Sequence, residues 1–182
     1  GPAGRGGQLK RQMACRIALV EQPVKSREET AKYTDPLADG TARQFSFVMD
    51  ARSVITSPSA PQIVTPGWTE IRGIAWSGRG LILRVEVSTD AGRTWKEAVL
   101  QQPVLPKAHT RFRFLWQWDG RPTEILSRAI DETGYTQPEW KALDHVRGRR
   151  TRYHLKPVTG WTIAADGRVR FGAETVAADG YR

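Results

Sequence analysis

The stretch Gly73–Trp95, GIAWSGRGLILRVEVSTDAGRTW, decides the fold of this chain. Its residue pattern is typical of a strand, a turn broken by glycines, a second strand and a tight hairpin turn. Leu81, Leu83, Val85 and Val87 recur at every second position. We therefore expect these four side chains to face a core, while the side chains between them, which are mostly polar, face water.

The turn that closes this stretch, STDAGRTW at residues 88–95, predicts a hairpin. Asp90 can accept hydrogen bonds from the turn amides, and Gly92 can adopt a positive φ. The pattern SxDxGxTW is also typical of the repeated turns of sialidase-type propellers, but a propeller needs several copies and this chain contains one. We interpret the turn as structural, followed by a return strand over Lys96–Leu100.

Similar short strands recur along the chain, separated by turns rich in Gly, Pro and Asp. The sequence predicts them at Ser53–Thr56, Thr69–Trp76, Thr110–Trp118, Glu124–Asp131, Val158–Ala164 and Arg168–Phe171. Strands at a spacing of about 8–12 residues predict an all-β, immunoglobulin-like β-sandwich. Its expected core includes Trp76, Trp95, Phe114 and Trp116.

Composition limits the classes of function. The chain has 182 residues, of which 39% are hydrophobic and seven are Trp, so it can bury a substantial core. No apolar run approaches the roughly 18 residues that a membrane span needs. Cys15 is the only cysteine, which excludes an intramolecular disulfide. CxxC and HExxH motifs are absent and the three His residues are scattered, so we assign no metal site and no catalytic residue to this chain.

The formal net charge of +9 makes an anionic partner possible, and two arginine-containing segments could bind one. In Arg111–Trp118, RFRFLWQW, arginines alternate with aromatic residues, as in surfaces that bind single-stranded nucleic acid. The same alternation is typical of a core strand with one wet face, and we favour that interpretation. The second segment is the basic run from Arg147 to Lys156, which is either a solvated loop or an anion-binding site, because Arg can donate to two oxyanion oxygens at once.

Several motifs in combination resemble one known family. Gly73–Trp95 matches the pattern GxAWSGxGxxxxVEVSxDxGxTW, Arg111–Trp118 matches an RFxFxWxW strand, and Arg128–Pro138, RAIDETGYTQP, is similar to an RAxDexGxxQP segment. These patterns look like the C-terminal dimerisation domain of sulfite oxidase-type molybdopterin oxidoreductases. Upstream, SREETAKYTD at residues 26–35 and RQFSFVM at residues 43–49 resemble the sulfane dehydrogenase subunit of the Sox thiosulfate-oxidising system.

The resemblance covers about residues 23–172 and implies a division of the chain. Residues 1–44 would be an irregular extension, comprising a remnant of the molybdopterin domain and a linker. Residues 45–172 would be the immunoglobulin-like dimerisation domain, and residues 173–182 a tail. We expect the molybdenum domain itself to lie outside this sequence.

The resemblance also implies a function. The full enzyme would use molybdenum-molybdopterin to oxidise a sulfur compound and would pass the electrons to a cytochrome c subunit or acceptor in the periplasm. The sandwich would form a homodimer and lend an Arg to the substrate-anion pocket, in an Arg-Gly pair that is here Arg147-Gly148. Cys15 does not lie in the context of the family's molybdenum-ligating cysteine and is given no role. We expect no cofactor on this chain alone.

The alternative is a freestanding immunoglobulin-like binding module. Its basic face would then recognise nucleic acid or an acidic protein, and its binding would weaken with salt. The motifs above favour the oxidoreductase domain over this module.

Overall fold

The computed structural model describes residues 19–22, 35–37, 39–43, 48–140, 142 and 156–172. Across these residues the chain forms eleven strands: β1 Asp35–Pro36, β2 Ala42–Arg43, β3 Arg52–Ser57, β4 Gly67–Trp76, β5 Ile82–Ser88, β6 Lys96–Glu97, β7 Val99–Leu100, β8 Thr110–Trp118, β9 Thr123–Asp131, β10 Thr159–Ile163 and β11 Val169–Gly172. Trp140 and Ala142 have helical backbone. No helix among the described residues is long and apolar enough to cross a membrane.

The strands form two main sheets that pack face to face. One sheet has five strands in the order β11-β10-β9-β5-β6, and the other has four in the order β3-β4-β8-β7. Every pairing is antiparallel, and β1 pairs with β2 as a separate small ribbon. The prediction of an all-β sandwich is confirmed.

The core lies between the two sheets and is made of aliphatic side chains around two buried aromatics. Phe112 and Trp118 of β8 are almost fully buried, beside Ile71 of β4 and Val85 of β5. Phe114 and Trp116 pack against this cluster and stay partly exposed. Along β8 the aromatic side chains point inward, while Arg111 and Arg113 are exposed, so the predicted alternation of this strand is confirmed.

The predicted alternation of β5 is wrong at its start. Leu83 is 54% exposed, whereas Ile82, predicted to face water, is 1% exposed. The cause is a register shift between Ile82 and Arg84 in the pairing with β9. A β-bulge inserts one extra residue and reverses the inward parity, so that the buried apolar residues of β5 are Ile82, Val85 and Val87. At the end of the strand Ser88, also predicted to face water, is buried as well.

The expected return strand over Lys96–Leu100 is divided between the two sheets. Lys96–Glu97 pairs with β5 in the five-stranded sheet, and Val99–Leu100 pairs with β8 in the four-stranded sheet. Ala98 between them is buried and donates its amide to Val85 O at 2.8 Å. The chain thus crosses from one layer to the other within five residues.

Two of the four expected core aromatics lie outside the core cluster. Trp95 is half-buried on the outer face of the five-stranded sheet, where the guanidinium of Arg128 lies 4.2 Å from its ring centroid. Trp76 is also half-buried and makes an edge-on contact with His109, at 5.3 Å between ring centroids. Tryptophan combines a large apolar surface with a polar N–H group, so it is well suited to such boundary positions.

Candidate functional site

A buried glutamine joins the described residues that flank the basic segment in the sequence to two strands of the sandwich. Gln137 is 1% exposed. Its Oε1 accepts hydrogen bonds from Ser53 N at 2.8 Å and Ala129 N at 3.2 Å, and Ser53 Oγ lies 2.9 Å away. Its Nε2 donates to Pro157 O at 2.8 Å. One side chain therefore joins β3, β9 and the segment that leads into β10.

This network fixes both ends of the segment that contains Arg147. Val158 N donates to Pro138 O at 2.9 Å, and Gln137 Nε2 holds Pro157 O. The backbone at Pro138 and the backbone at Pro157 and Val158 are therefore held next to each other. Arg147 and Gly148 lie outside the described residues, as does Cys15, so the predicted role of Arg147 stays a prediction.

The same network bridges the two sheets. Ser53 Oγ of β3 lies 2.9 Å from Ser127 Oγ of β9, and both side chains are fully buried. Buried polar groups are costly unless every one of them is paired. Here the pairing is mutual, so the hydroxyls and the Gln137 amide fix the relative position of the layers next to the segment's two ends.

The two motif segments quoted from the sequence meet in space. Ser77 Oγ, from the AWSGRG segment, donates to Asp131 Oδ2 at 2.7 Å. Asp131 is fully buried and also accepts from Thr133 N and Tyr135 N, at 3.0 and 3.2 Å. Burial opposes its ionisation, but hydrogen bonds from Thr133, Ser77 and Tyr135 hold the pKa of Asp131 below its ordinary value.

Glu132 and Arg79 extend this contact. Glu132 Oε1 accepts from Leu81 N at 3.0 Å and fills the space that a side chain at Gly80 would need. Arg79 pairs with Asp50 at 2.7 Å and lies 5.0 Å from the centroid of the Tyr135 ring. Both carboxylates therefore accept hydrogen bonds from backbone amides of the turn and the adjoining loop.

The hairpin turn of residues 88–95 uses its polar groups internally. Asp90 Oδ1 accepts from Thr94 N at 2.9 Å and Ser88 Oγ at 2.8 Å, and Oδ2 accepts from Thr94 Oγ1 at 2.6 Å. Gly92 has φ +85° and donates its amide to Ser88 Oγ at 2.9 Å. The bonds from Thr94, with smaller effects from Ser88 and the charge of Arg93, lower the pKa of Asp90 to about 2.

A cavity of about 300 Å³ separates this hairpin from the ends of the Arg147 segment. Ala91, Gly92 and Arg93 line one side of it. Glu139, Trp140, Val158 and Thr159, which flank the segment, line the other. The hairpin that identifies the domain therefore lies across a cavity from the anchored loop ends.

The described residues contain no group of three or more His, Cys, Asp or Glu side chains that could hold a metal.

Sequence reasoning missed Gln137 as the anchor. The glutamine is part of the motif RAIDETGYTQP, but the pattern alone assigned it no role. The available signal was its position between the Gly134 turn and Pro138. Turn and proline positions interrupt regular backbone pairing, so a polar side chain there can bond to backbone groups.

Comparison with known proteins places these features in one family. Residues 43–159 match the Mo-co oxidoreductase dimerisation domain, and the chain belongs to that family.

Individual relatives agree. The chain is 35% identical over 134 residues to sulfite oxidase of Gallus gallus, covering 68% of this chain and 29% of that protein. It is 35% identical over 106 residues to an NADH nitrate reductase of Solanum lycopersicum, covering 50% of this chain and 12% of that protein. The crystal structure of the sulfane dehydrogenase SoxCD from Paracoccus pantotrophus is similar at a TM-score of 0.77 and 50% identity, covering 81% of this chain and 39% of that one.

The chain thus spans less than two fifths of the length of each of these relatives. The molybdopterin chemistry belongs to the full-length enzymes of the family.

Proposed function

We propose that this chain is the C-terminal dimerisation and substrate-anion-binding portion of a molybdenum-dependent sulfite or sulfane dehydrogenase. The full enzyme oxidises a sulfur compound in the periplasm and passes the electrons to a cytochrome c. The observation that carries the proposal is the family match over residues 43–159. The likeness to the SoxCD structure, at 50% identity, supports the sulfur substrate class.

The chain's part in this reaction is to bind and orient an anion. Sulfite and its oxidation product are both oxyanions, so a fixed cation at the pocket rim attracts the substrate and balances its charge throughout the reaction. Arg147 is the residue we propose for this task. The bonds of Gln137 support it, because a segment anchored at Pro138 and Pro157 can place its middle reproducibly against a neighbouring domain.

The chain's second task is pairing two subunits. The family is named for dimerisation, and we propose a homodimer formed through the sandwich. A cytochrome c subunit or acceptor contacts the full enzyme elsewhere.

The test of the anion role is Arg147→Gln in the enzyme of which this domain is a part, with sulfite as substrate and cytochrome c as acceptor. Loss of a charge-assisted pair of hydrogen bonds costs about 1.5–3 kcal/mol, so kcat/KM for sulfite should fall about 10- to 100-fold. Arg147→Lys should restore only part of it, because an ammonium lacks the planar fork.

The matched control is Arg168→Gln, which removes an exposed arginine on the β10–β11 hairpin that pairs with Asp166 at 3.3 Å. It should leave kcat/KM unchanged. An Arg147→Gln enzyme with normal kinetics would refute the anion role, and an enzyme that oxidises no sulfur anion at all would refute the substrate class.

A further inference from the structure

The two sheets differ in what they present to solvent. On the four-stranded sheet, Trp68 of β4, Val99 of β7 and Leu115 of β8 are 67%, 72% and 63% exposed. These are large apolar side chains on neighbouring strands, and single exposed hydrophobics are common whereas contiguous ones mark interfaces.

The strand register makes these three residues contiguous. Trp68 pairs with Gln117, two residues from Leu115, and Val99 pairs with Arg113, two residues from Leu115 on the other side. Diagonal neighbours of this kind lie about 7–8 Å apart on one face of an antiparallel sheet. Trp68, Leu115 and Val99 therefore form a diagonal apolar stripe across three strands.

Charged side chains flank the stripe and are held in place. Glu70 is directly opposite Leu115 in the register and lies 3.7 Å from Arg113 and 3.5 Å from Arg72. With the amide of Gln101 oriented so that its oxygen faces Arg113, that oxygen accepts from Nη2 at 2.9 Å and from Nε at 3.0 Å. Side chains fixed in this way lose little entropy on binding.

The outer face of the five-stranded sheet is different. There Glu86 accepts from Arg84 at 3.3 Å and from Arg128 at 2.5 Å, and Arg128 covers the ring of Trp95. Among the described residues its exposed large hydrophobic side chain is Leu83 on β5. Phe171 on β11 is directly opposite Trp161 and has the inward parity of Val169, so it lies at the edge of the inner face. That face covers its aromatic with its own side chains and has no contiguous apolar stripe among the described residues.

We infer that the outer face of the four-stranded sheet, centred on the stripe Trp68–Leu115–Val99, is the surface that binds a second copy of this chain. The inference rests on the proposed homodimer and names the face that forms it. A face-to-face arrangement buries both stripes, and it brings Glu70 of one copy to Arg113 of the other. Tryptophan is among the residue types that contribute most to such interfaces.

The first test is sedimentation velocity on the chain and two variants. Trp68→Glu places a charge in the stripe and should weaken dimerisation at least tenfold. Leu83→Glu, the matched control, adds the same charge at a residue of similar exposure on the other sheet and should leave the dimer intact. Val99→Glu, at an edge strand, repeats the test if Trp68→Glu does not fold, which circular dichroism would show.

The possible outcomes distinguish an error in the assigned face from an error in the proposed homodimer. If the chain dimerises but Trp68→Glu and Val99→Glu dimerise equally well, the assigned face is wrong and the homodimer stands. If Leu83→Glu dissociates the dimer as strongly as Trp68→Glu does, the assigned face is also wrong. If the unaltered chain is a monomer, the homodimer is wrong and the face with it.

The second test uses charge reversal between chains. Glu70→Arg and Arg113→Glu should each weaken the homodimer, since each places like charges opposite one another. When the two variants are mixed, complementary charges meet across the interface, so heterodimers should exceed the statistical half, as native mass spectrometry can count. Pairing within one chain cannot produce that excess, and a statistical mixture of species would overturn the proposed contact.

Discussion

At the scale of single residues, the structure gives two polar side chains a decisive structural role. Gln137 makes hydrogen bonds to β3, β9 and the entry to β10, and Asp90 closes the hairpin through Thr94 and Ser88. The Asp90 bonds are local, whereas Gln137 joins residues that are distant in the sequence. The loss of either can be measured as a change in stability without any cofactor, which tests the scaffold separately from the proposed reaction.

Gln137→Glu should destabilise the domain by about 2–4 kcal/mol. The substitution keeps the shape but replaces the donor to Pro157 O with an acceptor and buries a carboxylate. Urea unfolding followed by tryptophan fluorescence measures the effect. Gln62→Glu makes the same change at an exposed loop residue whose Oε1 accepts from Ser59 N, as a carboxylate can also do, and should shift stability by less than about 0.5 kcal/mol. Equal effects for the two variants would contradict the anchoring role.

The hairpin aspartate predicts a particular pH dependence. The folded-state pKa of Asp90 is lowered to about 2 by its bonds to Thr94, from an unfolded value near 3.9. Its contribution is therefore fully present above about pH 5 and is lost as the pH falls from about 4 towards 2. The difference in unfolding free energy between the chain and Asp90→Asn should be constant from pH 5 to 7 and should shrink below pH 4. A difference that grows on acidification would contradict this assignment.

At the scale of elements, the sequence predicted the long strands of the two main sheets. It did not predict the β1–β2 ribbon, the face on which Ile82 and Leu83 lie, or the change of sheet within Lys96–Leu100. The alternation in β8 predicted its inward face because nothing interrupts its register. In β5, Leu81-Ile82-Leu83 is apolar at every position, so the sequence carried no signal of the bulge that buries Ile82 in place of Leu83. The division of Lys96–Leu100 between two sheets depends on packing around Ala98, which local periodicity cannot report.

The bulge gives a direct prediction for neighbouring residues. Ile82→Ala should cost about 2–4 kcal/mol, because it removes buried methyl groups from a packed site. Leu83→Ala should change the unfolding free energy by less than about 0.5 kcal/mol, because its side chain is largely in water. The reverse order in urea unfolding would restore the simple alternation expected from the sequence.

Close approach of strands also constrains one glycine. A Cβ on Gly160 would lie 1.8 Å from Ile125 O in the β9–β10 pair, whereas one on Gly134 would meet nothing within 4 Å. Gly160→Ala should therefore cost about 3 kcal/mol or more, since backbone must move. Gly134→Ala should cost about 1 kcal/mol, from its φ of +82° alone. Thermal unfolding of the two variants compares them, and equal losses would mean that β9 and β10 are further apart than described.

At the scale of the whole molecule, the motifs predicted the family better than the composition did. The net charge of +9 suggested an anionic partner in general, while the contact of Ser77 with Asp131 explains why the two motif segments occur together. The Gln137 anchor and the apolar stripe could not be predicted, because each depends on residues brought together from distant strands. The sandwich is thus a scaffold with two proposed tasks, pairing subunits through one sheet face and presenting Arg147 from one end.

The measurement that tests the dimerisation claim most directly is sedimentation equilibrium of the unaltered 182-residue chain over a wide concentration range. The chain has a mass of 20.4 kDa, so we predict a species at twice that mass which dissociates only on dilution. A mass of 20.4 kDa at every concentration would contradict it.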